Sequence, residues 1–259
     1  MQAPHTTHHE VADDTNPWTA LSASQKSAWV LLVVGTEHRV GASVTSLALA
    51  EAAATHGLET ALVDGALPRW SGLRAALEIE GPRVRPGVAV CKGRHGGVPV
   101  YSRTDNVSSV SPAELLADAS SCELVVVDAG ATLAGASAWA SVISAWLPVA
   151  AVTHPGLARA EAALEECAEE MVLPPAGLAG IGTSLDPGSV AGFRLAKAVE
   201  RQWAPMPRHA GVEVSGTTPG LLPAPIISAA TVALRGLLPT SLATRIPAPS
   251  QRGFRRRNR

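Results

Sequence analysis

The stretch Val30 to Asp64, VLLVVGTEHRVGASVTSLALAEAAATHGLETALVD, restricts this chain more than any other. It begins within a continuous apolar run, Ala28 to Val34, of the kind a parallel strand covered on both faces requires. A glycine-containing turn follows, and the alanine- and leucine-rich segment Ser43 to His56 has the composition of a buried helix. Gly57 is placed to end that helix in the left-handed conformation that glycine tolerates best. Glu59 to Val63 reads as a second strand with Asp64 at its carboxyl end. Strand, helix and strand in this order make a βαβ unit, whose crossover is expected to be right-handed.

The alternation continues downstream. A helix is expected over Ser71–Ile79, and short strands over Val88–Val90 and Val98–Tyr101. Pro112–Ala119 is a helix started by Ser111 and a proline in the first turn. Glu123–Val127 is a buried strand ending in Asp128-Ala129-Gly130. A helix near 135–146, a strand at Val149–Val152 and a helix at Leu157–Glu170 follow. Ala179–Ser184 reads as a strand, Ser189–Trp203 and Ile226–Leu238 as helices, and 205–225 as a Pro- and Gly-rich connection. Repeated βα units predict an α/β fold: a doubly wound, mostly parallel sheet with helices on both faces, in three layers. Ligands of such sheets sit beyond the carboxyl ends of the strands. Trp139 and Trp146, seven residues apart in the expected 135–146 helix, fall on one face and read as core.

Organisation follows from composition. Residues 1–27 are polar and read as a disordered tail, 28–240 as the α/β domain and 241–259 as a basic C-terminal tail. His5, His8 and His9 lie in that N-terminal tail and form no fixed metal site. Cys91, Cys122 and Cys167 lack CxxC spacing and read as thiols of a reducing compartment. Ala129 to Val152 carries no charge and is long enough to span a bilayer, but its Ala, Ser and Gly content and Pro148 fit a buried helix followed by a strand. The net charge of −1 gives no global field for a polyanion, yet the last nine residues hold five arginines, Arg252, Arg255, Arg256, Arg257 and Arg259. A second basic run has five Lys or Arg residues and no acid between Gly81 and Thr104. No Ser-x-x-Lys, Gly-x-Ser-x-Gly or HExxH pattern supports serine-hydrolase or zinc chemistry.

The turn after the first strand has the outline of a phosphate loop. Such a loop aims successive backbone N–H groups and a helix N-terminus at an anion, a lysine reaches the β/γ-phosphates and a Ser or Thr hydroxyl holds Mg²⁺. Laid on GxxxxGK[ST], Thr36 falls on the first glycine, Gly41 on the second, Ala42 on the lysine and Ser43 on the hydroxyl. Only Gly41 and Ser43 keep the pattern. The spacing of Gly41, Gly57 and Asp64, with LALAEAAATHGLETALVD between, nevertheless resembles the MinD/ParA family of P-loop ATPases. ELVVVDAG resembles the family's Walker B strand with Asp128 as its acid, and LPVAAVTHPGLARAEAALE the strand, Thr-Pro turn and helix after it. The likeness covers roughly 28–170. The GAS loop and PRWSGLRAAL are closest to an atypical branch, the pilus-assembly localisation proteins of CpaE/TadZ type and the actinobacterial septum-site-determining proteins.

The resemblance implies a P-loop NTPase-like domain whose cradle is Arg39, Val40, Gly41, Ala42, Ser43 and Val44, with Ser43, Asp64 and Asp128 as the Mg²⁺ set. It also marks departures. The family's signature lysine is here Glu37, the next two glycines are His38 and Arg39, and the second aspartate of Asp-x-Asp is Ala66. A loop lysine close to phosphates in a partly dry site contributes several kcal/mol, so its loss weakens triphosphate binding unless a cation such as Arg39 replaces it. Phosphoryl transfer relies on positioning and charge neutralisation, which predicts weak or no hydrolysis. The reading is therefore a degenerate localisation or assembly factor for a secretion, pilus, conjugation or division apparatus. It would be a homodimer with a protein partner, cytoplasmic or peripheral at the inner membrane face, holding ATP or ADP with Mg or no cofactor at all. Its C-terminal arginines suit contact with an anionic membrane or DNA. Three alternatives stay open: an active ParA-type ATPase in chromosome or plasmid partitioning, a DNA-binding adaptor using the arginine tail, and a domain without ligand. In the last case Ser43 is a helix cap, and Asp64 and Asp128 are strand-end caps.

Overall fold

In the computed structural model of the chain, the described residues are 28–66, 71–73, 78–85, 88–95, 97–103, 110–131, 136–167, 170–171, 173–182, 200–215 and 221–248. Nine strands form one sheet: β1 (Trp29–Gly35), β2 (Thr60–Asp64), β3 (Glu78–Arg85), β4 (Val88–His95), β5 (Val98–Arg103), β6 (Leu124–Asp128), β7 (Ala145–Ala151), β8 (Leu178–Ile181) and β9 (Trp203–Met206). Their order is β3-β4-β5-β2-β6-β1-β7-β8-β9. From β5 to β9 neighbours run parallel, and β3 and β4 extend one edge as an antiparallel ribbon. The sheet is thus mostly parallel, as the apolar strand runs require.

Alternation along the strands builds two cores. Leu31, Val33, Leu62, Val126, Leu147 and Val149 face the layer made by α1 (Ala42–Thr55) and α5 (Ala224–Leu237). Val30, Leu32, Val63, Val127 and Trp146 face the other layer, which holds α2 (Pro112–Leu116) and the end of α3 (His154–Cys167). α2 starts at a capping box, with Ser111 and Glu114 each bonding the other's backbone N–H. Helix α1 is apolar and buried on nearly all sides, lying on α5 and on β1, β2 and β6. Its inward hydroxyls are satisfied locally: Thr45 and Ser46 donate to the carbonyls of Gly41 and Ala42, both at 2.9 Å. One acidic side chain is buried there too. Glu51, 3% exposed, is ion-paired with His95 at the end of β4 and accepts the Leu222 N–H at 3.2 Å.

Several sequence expectations are corrected. No helix spans 135–146: a 3-10 turn at Ser137–Trp139 is followed by β7, which begins at Ala145. Trp139 and Trp146 are both buried, but one belongs to a turn and the other to a central strand. Pro148 does not break that strand. The carbonyl of Val149 accepts from Thr36 on the β1 side and that of Trp146 from Ala176 on the β8 side, so the N–H that Pro148 lacks falls toward β8, whose pairing with β7 begins only at Val149. Glu78 and Ile79 are strand residues, and so is Trp203. The rest of the helix expected over 189–203 lies outside the described residues apart from Glu200 to Gln202, as do the N-terminal tail and the five C-terminal arginines. The 205–225 connection contains the end of β9 and α4 (Ala210–Ser215). The fold also continues past 240: α6 (Thr240–Ala243) is followed by Ile246, 1% exposed in the α1/α5 core, and Arg245 pairs with Glu123 at 2.6 Å. Among the described residues no helix is long and apolar enough to cross a membrane.

Candidate functional site

The carboxyl ends of β2, β6 and β1 meet at one place. Parallel register sets Asp64 opposite Asp128, and Asp128 opposite Val33, two residues before the loop begins. Both aspartates are buried, and both lie on the α1 side of the sheet, in step with Leu62 and Val126 two positions earlier. Ser43, in the first turn of α1, meets Asp128 there. A Cβ on Gly72 would lie 2.8 Å from its Oγ, so the 71–73 segment closes over it. On the opposite face the ring of Trp139 packs so close that a Cβ on Gly65 would sit 2.5 Å from it, and only glycine fits directly after Asp64.

Each carboxylate has local support. Asp64 accepts the Ala66 N–H at 3.2 Å and the Ser71 hydroxyl. Asp128 accepts the Gly130 N–H at 3.0 Å through Oδ1. Its Oδ2 is buried without a hydrogen-bond partner among the described residues. Burial is the largest force on the titration of both, and for Asp64 the neighbouring Asp128 charge adds to it. Together they push Asp64 up to about 8 against the pull of Ser71, the Ala66 amide and Arg103. Burial raises Asp128 as well, opposed by the nearby Ser43 hydroxyl and the Gly130 amide. Two like charges this close and this dry cannot both ionise cheaply, so near neutral pH the pair holds a proton unless a cation replaces it. The oxygens of Ser43, Asp64 and Asp128, with the orphaned Oδ2, suit Mg²⁺, which takes oxygen ligands and retains waters. Among the described residues no cluster of three or more His, Cys, Asp or Glu could cage a metal without such water or phosphate ligands.

The loop itself is pinned at both ends. The Thr36 N–H and hydroxyl donate to the Val149 carbonyl at 3.0 and 3.1 Å. Glu37, at the signature-lysine position, pairs with Arg159 of α3 at 2.7 Å. Arg39 adopts a left-handed φ of 60° and Gly41 one of 99°, immediately before α1. Helix geometry leaves the amides of Ala42, Ser43 and Val44 without intrahelical partners, and the first turn of α1 carries no acid to offset its dipole.

The six expected cradle residues divide. Ser43 joins the carboxylates and Ala42 is buried, whereas Arg39, Val40, Gly41 and Val44 line a cavity of about 610 Å³ on the other side of the loop. That cavity lies beyond the carboxyl ends of β7, β8 and β9, and Met206, Pro207, Arg208 and His209 form its far wall. Sequence reading missed Ser71, Arg103, Arg208 and His209. Ser71 could have been found as the hydroxyl nearest Asp64 in PRWSGLR. The others are brought in by pairing and crossovers that no local pattern encodes.

No protein-family model and no curated protein matches the sequence. Solved structures do match in fold. The chain is similar to a ParA family ATPase from Chlorobium tepidum TLS, at 14% identity over 85% of this chain and 96% of that one, TM-score 0.54. It is similar to a chain of the MinC:MinD cell division protein complex of Aquifex aeolicus, at 15% identity over 82% and 98%, TM-score 0.60. It is also similar to the septum site-determining protein MinD complexed with Mg-ADP from Pyrococcus horikoshii OT3, at 13% identity over 85% and 92%, TM-score 0.58. The fold is that of the MinD/ParA-type P-loop proteins.

Proposed function

We propose that this chain is a degenerate MinD/ParA-like P-loop protein that acts as a localisation or assembly factor with weak or no ATP hydrolysis. One observation carries the reading: the carboxylate pair and Ser43 persist at the end of the first strands, while both lysine positions of the loop are lost. Ala42 stands buried at one, and Glu37 at the other is tied to Arg159 within its own chain. A negative charge there cannot neutralise a γ-phosphate, its own or a partner subunit's. Ser43, Asp64 and Asp128 would hold Mg²⁺ and Gly41 to Val44 would face the phosphates of ATP or ADP, so binding is expected to outlast turnover. The loop's departures fit the CpaE/TadZ or septum-site branch, and with it a homodimer serving a secretion, pilus, conjugation or division apparatus at the cytoplasmic membrane face. Contact with anionic membrane or DNA through Arg252, Arg255, Arg256, Arg257 and Arg259 is proposed on charge alone.

The second reading, an active partitioning ATPase, is favoured by the intact meeting of Asp64, Asp128 and Ser43. Phosphate release from ATP and Mg²⁺ by the pure protein separates the two. Release at background in both the protein and its Asp64→Ala variant is expected; turnover that disappears in Asp64→Ala would overturn the degenerate reading.

A further inference from the structure

Three residues of the chain itself lie against the carboxylate site. Leu73 is 0% exposed and anchors them in the core on the α1 side, while Ser71 is half-buried and Gly72 exposed. The Ser71 hydroxyl donates to Asp64 Oδ2 and accepts the Leu73 N–H at 3.1 Å. Oδ1 of the same carboxylate accepts the Ala66 N–H, so the chain engages both Asp64 oxygens. Gly72 lies against Ser43: a Cβ there would be 2.8 Å from the serine Oγ and 3.0 Å from its Cβ.

With Ser71 on one expected metal ligand and Gly72 on another, the segment bridges the gap that a metal ion must enter. Mg²⁺ holds its oxygens at about 2.0–2.1 Å in an octahedron and keeps several waters. A shell of that size on Ser43 Oγ would extend into the space that Gly72 holds. The Ser71 proton, moreover, is directed at the Asp64 oxygen that a cation would have to approach. Asp128 Oδ2, by contrast, is buried with no hydrogen-bond partner among the described residues.

We propose that residues 71–73 are an autoinhibitory cover: the Ser71 hydroxyl latches them onto Asp64, and Mg²⁺ reaches Ser43 and the carboxylates only when that latch opens. A site that is competent only while uncovered binds more weakly in proportion to the fraction of time it is open. Weakening the cover therefore tightens metal binding, the reverse of what a lost ligand does. The inference rests on the reading of Ser43, Asp64 and Asp128 as a Mg²⁺ set, and it does not depend on whether ATP is hydrolysed.

The test is Mn²⁺ binding to the full chain at pH 8 without nucleotide, followed by the electron paramagnetic resonance of the free ion. Ser71→Ala removes the latch, and Gly72→Ala keeps it but drives a methyl group into Ser43. Each should bind Mn²⁺ about threefold to tenfold more tightly than the parent, the scale of one hydrogen bond. Ser71→Thr, which keeps a hydroxyl, should bind as the parent does, and Ser43→Ala should bind more weakly. Hydrogen exchange of the parent needs no variant: Mg²⁺ should speed exchange of the Leu73 amide as Ser71 lets go, where a ligand that merely rigidified the fold would slow it. Weaker Mn²⁺ binding by Ser71→Ala would make Ser71 a ligand and overturn the proposal. Unchanged affinity in both Ser71→Ala and Gly72→Ala overturns it too, as does a Leu73 amide that Mg²⁺ slows; each of these leaves the metal set standing. Absence of Mn²⁺ binding from the parent and every variant overturns the metal set itself, and the cover with it.

Discussion

Replacing Asp64 with asparagine should stabilise this protein at alkaline pH and not at acidic pH. Asp64 titrates near 3.8 when unfolded and at about 8 when folded, because burial and Asp128 both disfavour its charge. Between those values the folded state holds a proton that the unfolded chain has released. Stability is therefore full below the lower value and falls as pH rises toward the upper one. The slope is about 1.4 kcal/mol per pH unit, so from pH 5 to pH 8 the loss is on the order of 4 kcal/mol. Asparagine carries no charge and escapes that slope. Its carbonyl can still accept from Ala66 or Ser71, but its amide must find an acceptor, at a cost of about 1–3 kcal/mol that does not depend on pH. Urea unfolding in EDTA at pH 5 and pH 8 measures the difference. Asp64→Asn should gain on the parent by a few kcal/mol across the interval, read as a higher urea midpoint relative to the parent at pH 8 than at pH 5. Adding Mg²⁺ at pH 8 should recover part of the loss in the parent but not in the variant. A stability difference between the two proteins that stays flat from pH 5 to pH 8 would refute the account of a buried, proton-sharing pair.

Three further outcomes follow from the packing. Gly41→Ala should lose about 1–2 kcal/mol in urea unfolding, since φ is +99° and the new Cβ would also lie 3.4 Å from Ile181 Cγ1. His95→Ala should lose about 3–5 kcal/mol, because it strands the Glu51 carboxylate inside the fold; removing both partners with a well-packed apolar pair should recover much of it. Ile246→Ala should lose about 2–5 kcal/mol while Arg245→Ala loses under about 1 kcal/mol, as burial differs between neighbours past the expected boundary at 240.

What could be read in advance was whatever a short segment decides for itself. VLLVVG and ELVVVD declare buried parallel strands because they are apolar without interruption, and Gly57 declares the end of α1 by its conformational freedom. The pairing of Asp64 with Asp128 was legible for the same reason, each standing at the end of such a run. The segment 135–151 was not, because Ala, Ser and Trp have no period there and Pro148 argues against a central strand unless its neighbours' hydrogen bonds are known. Nor was the boundary at 240: Thr240 to Ile246 looks like the start of a tail, and only the α1/α5 core shows where Ile246 goes. The cavity was the least legible part, since Arg39 and Arg208 come from opposite ends of the chain.

The buried contacts of Glu51 have a mechanical consequence. They clamp the C-terminal half of α1 to the strand ribbon on one side and to the approach of α5 on the other. A rod fastened near its far end resists sliding when something arrives at its tip. Movement triggered by an arriving molecule must therefore be taken up ahead of the rod, in the few residues that swivel on Gly41.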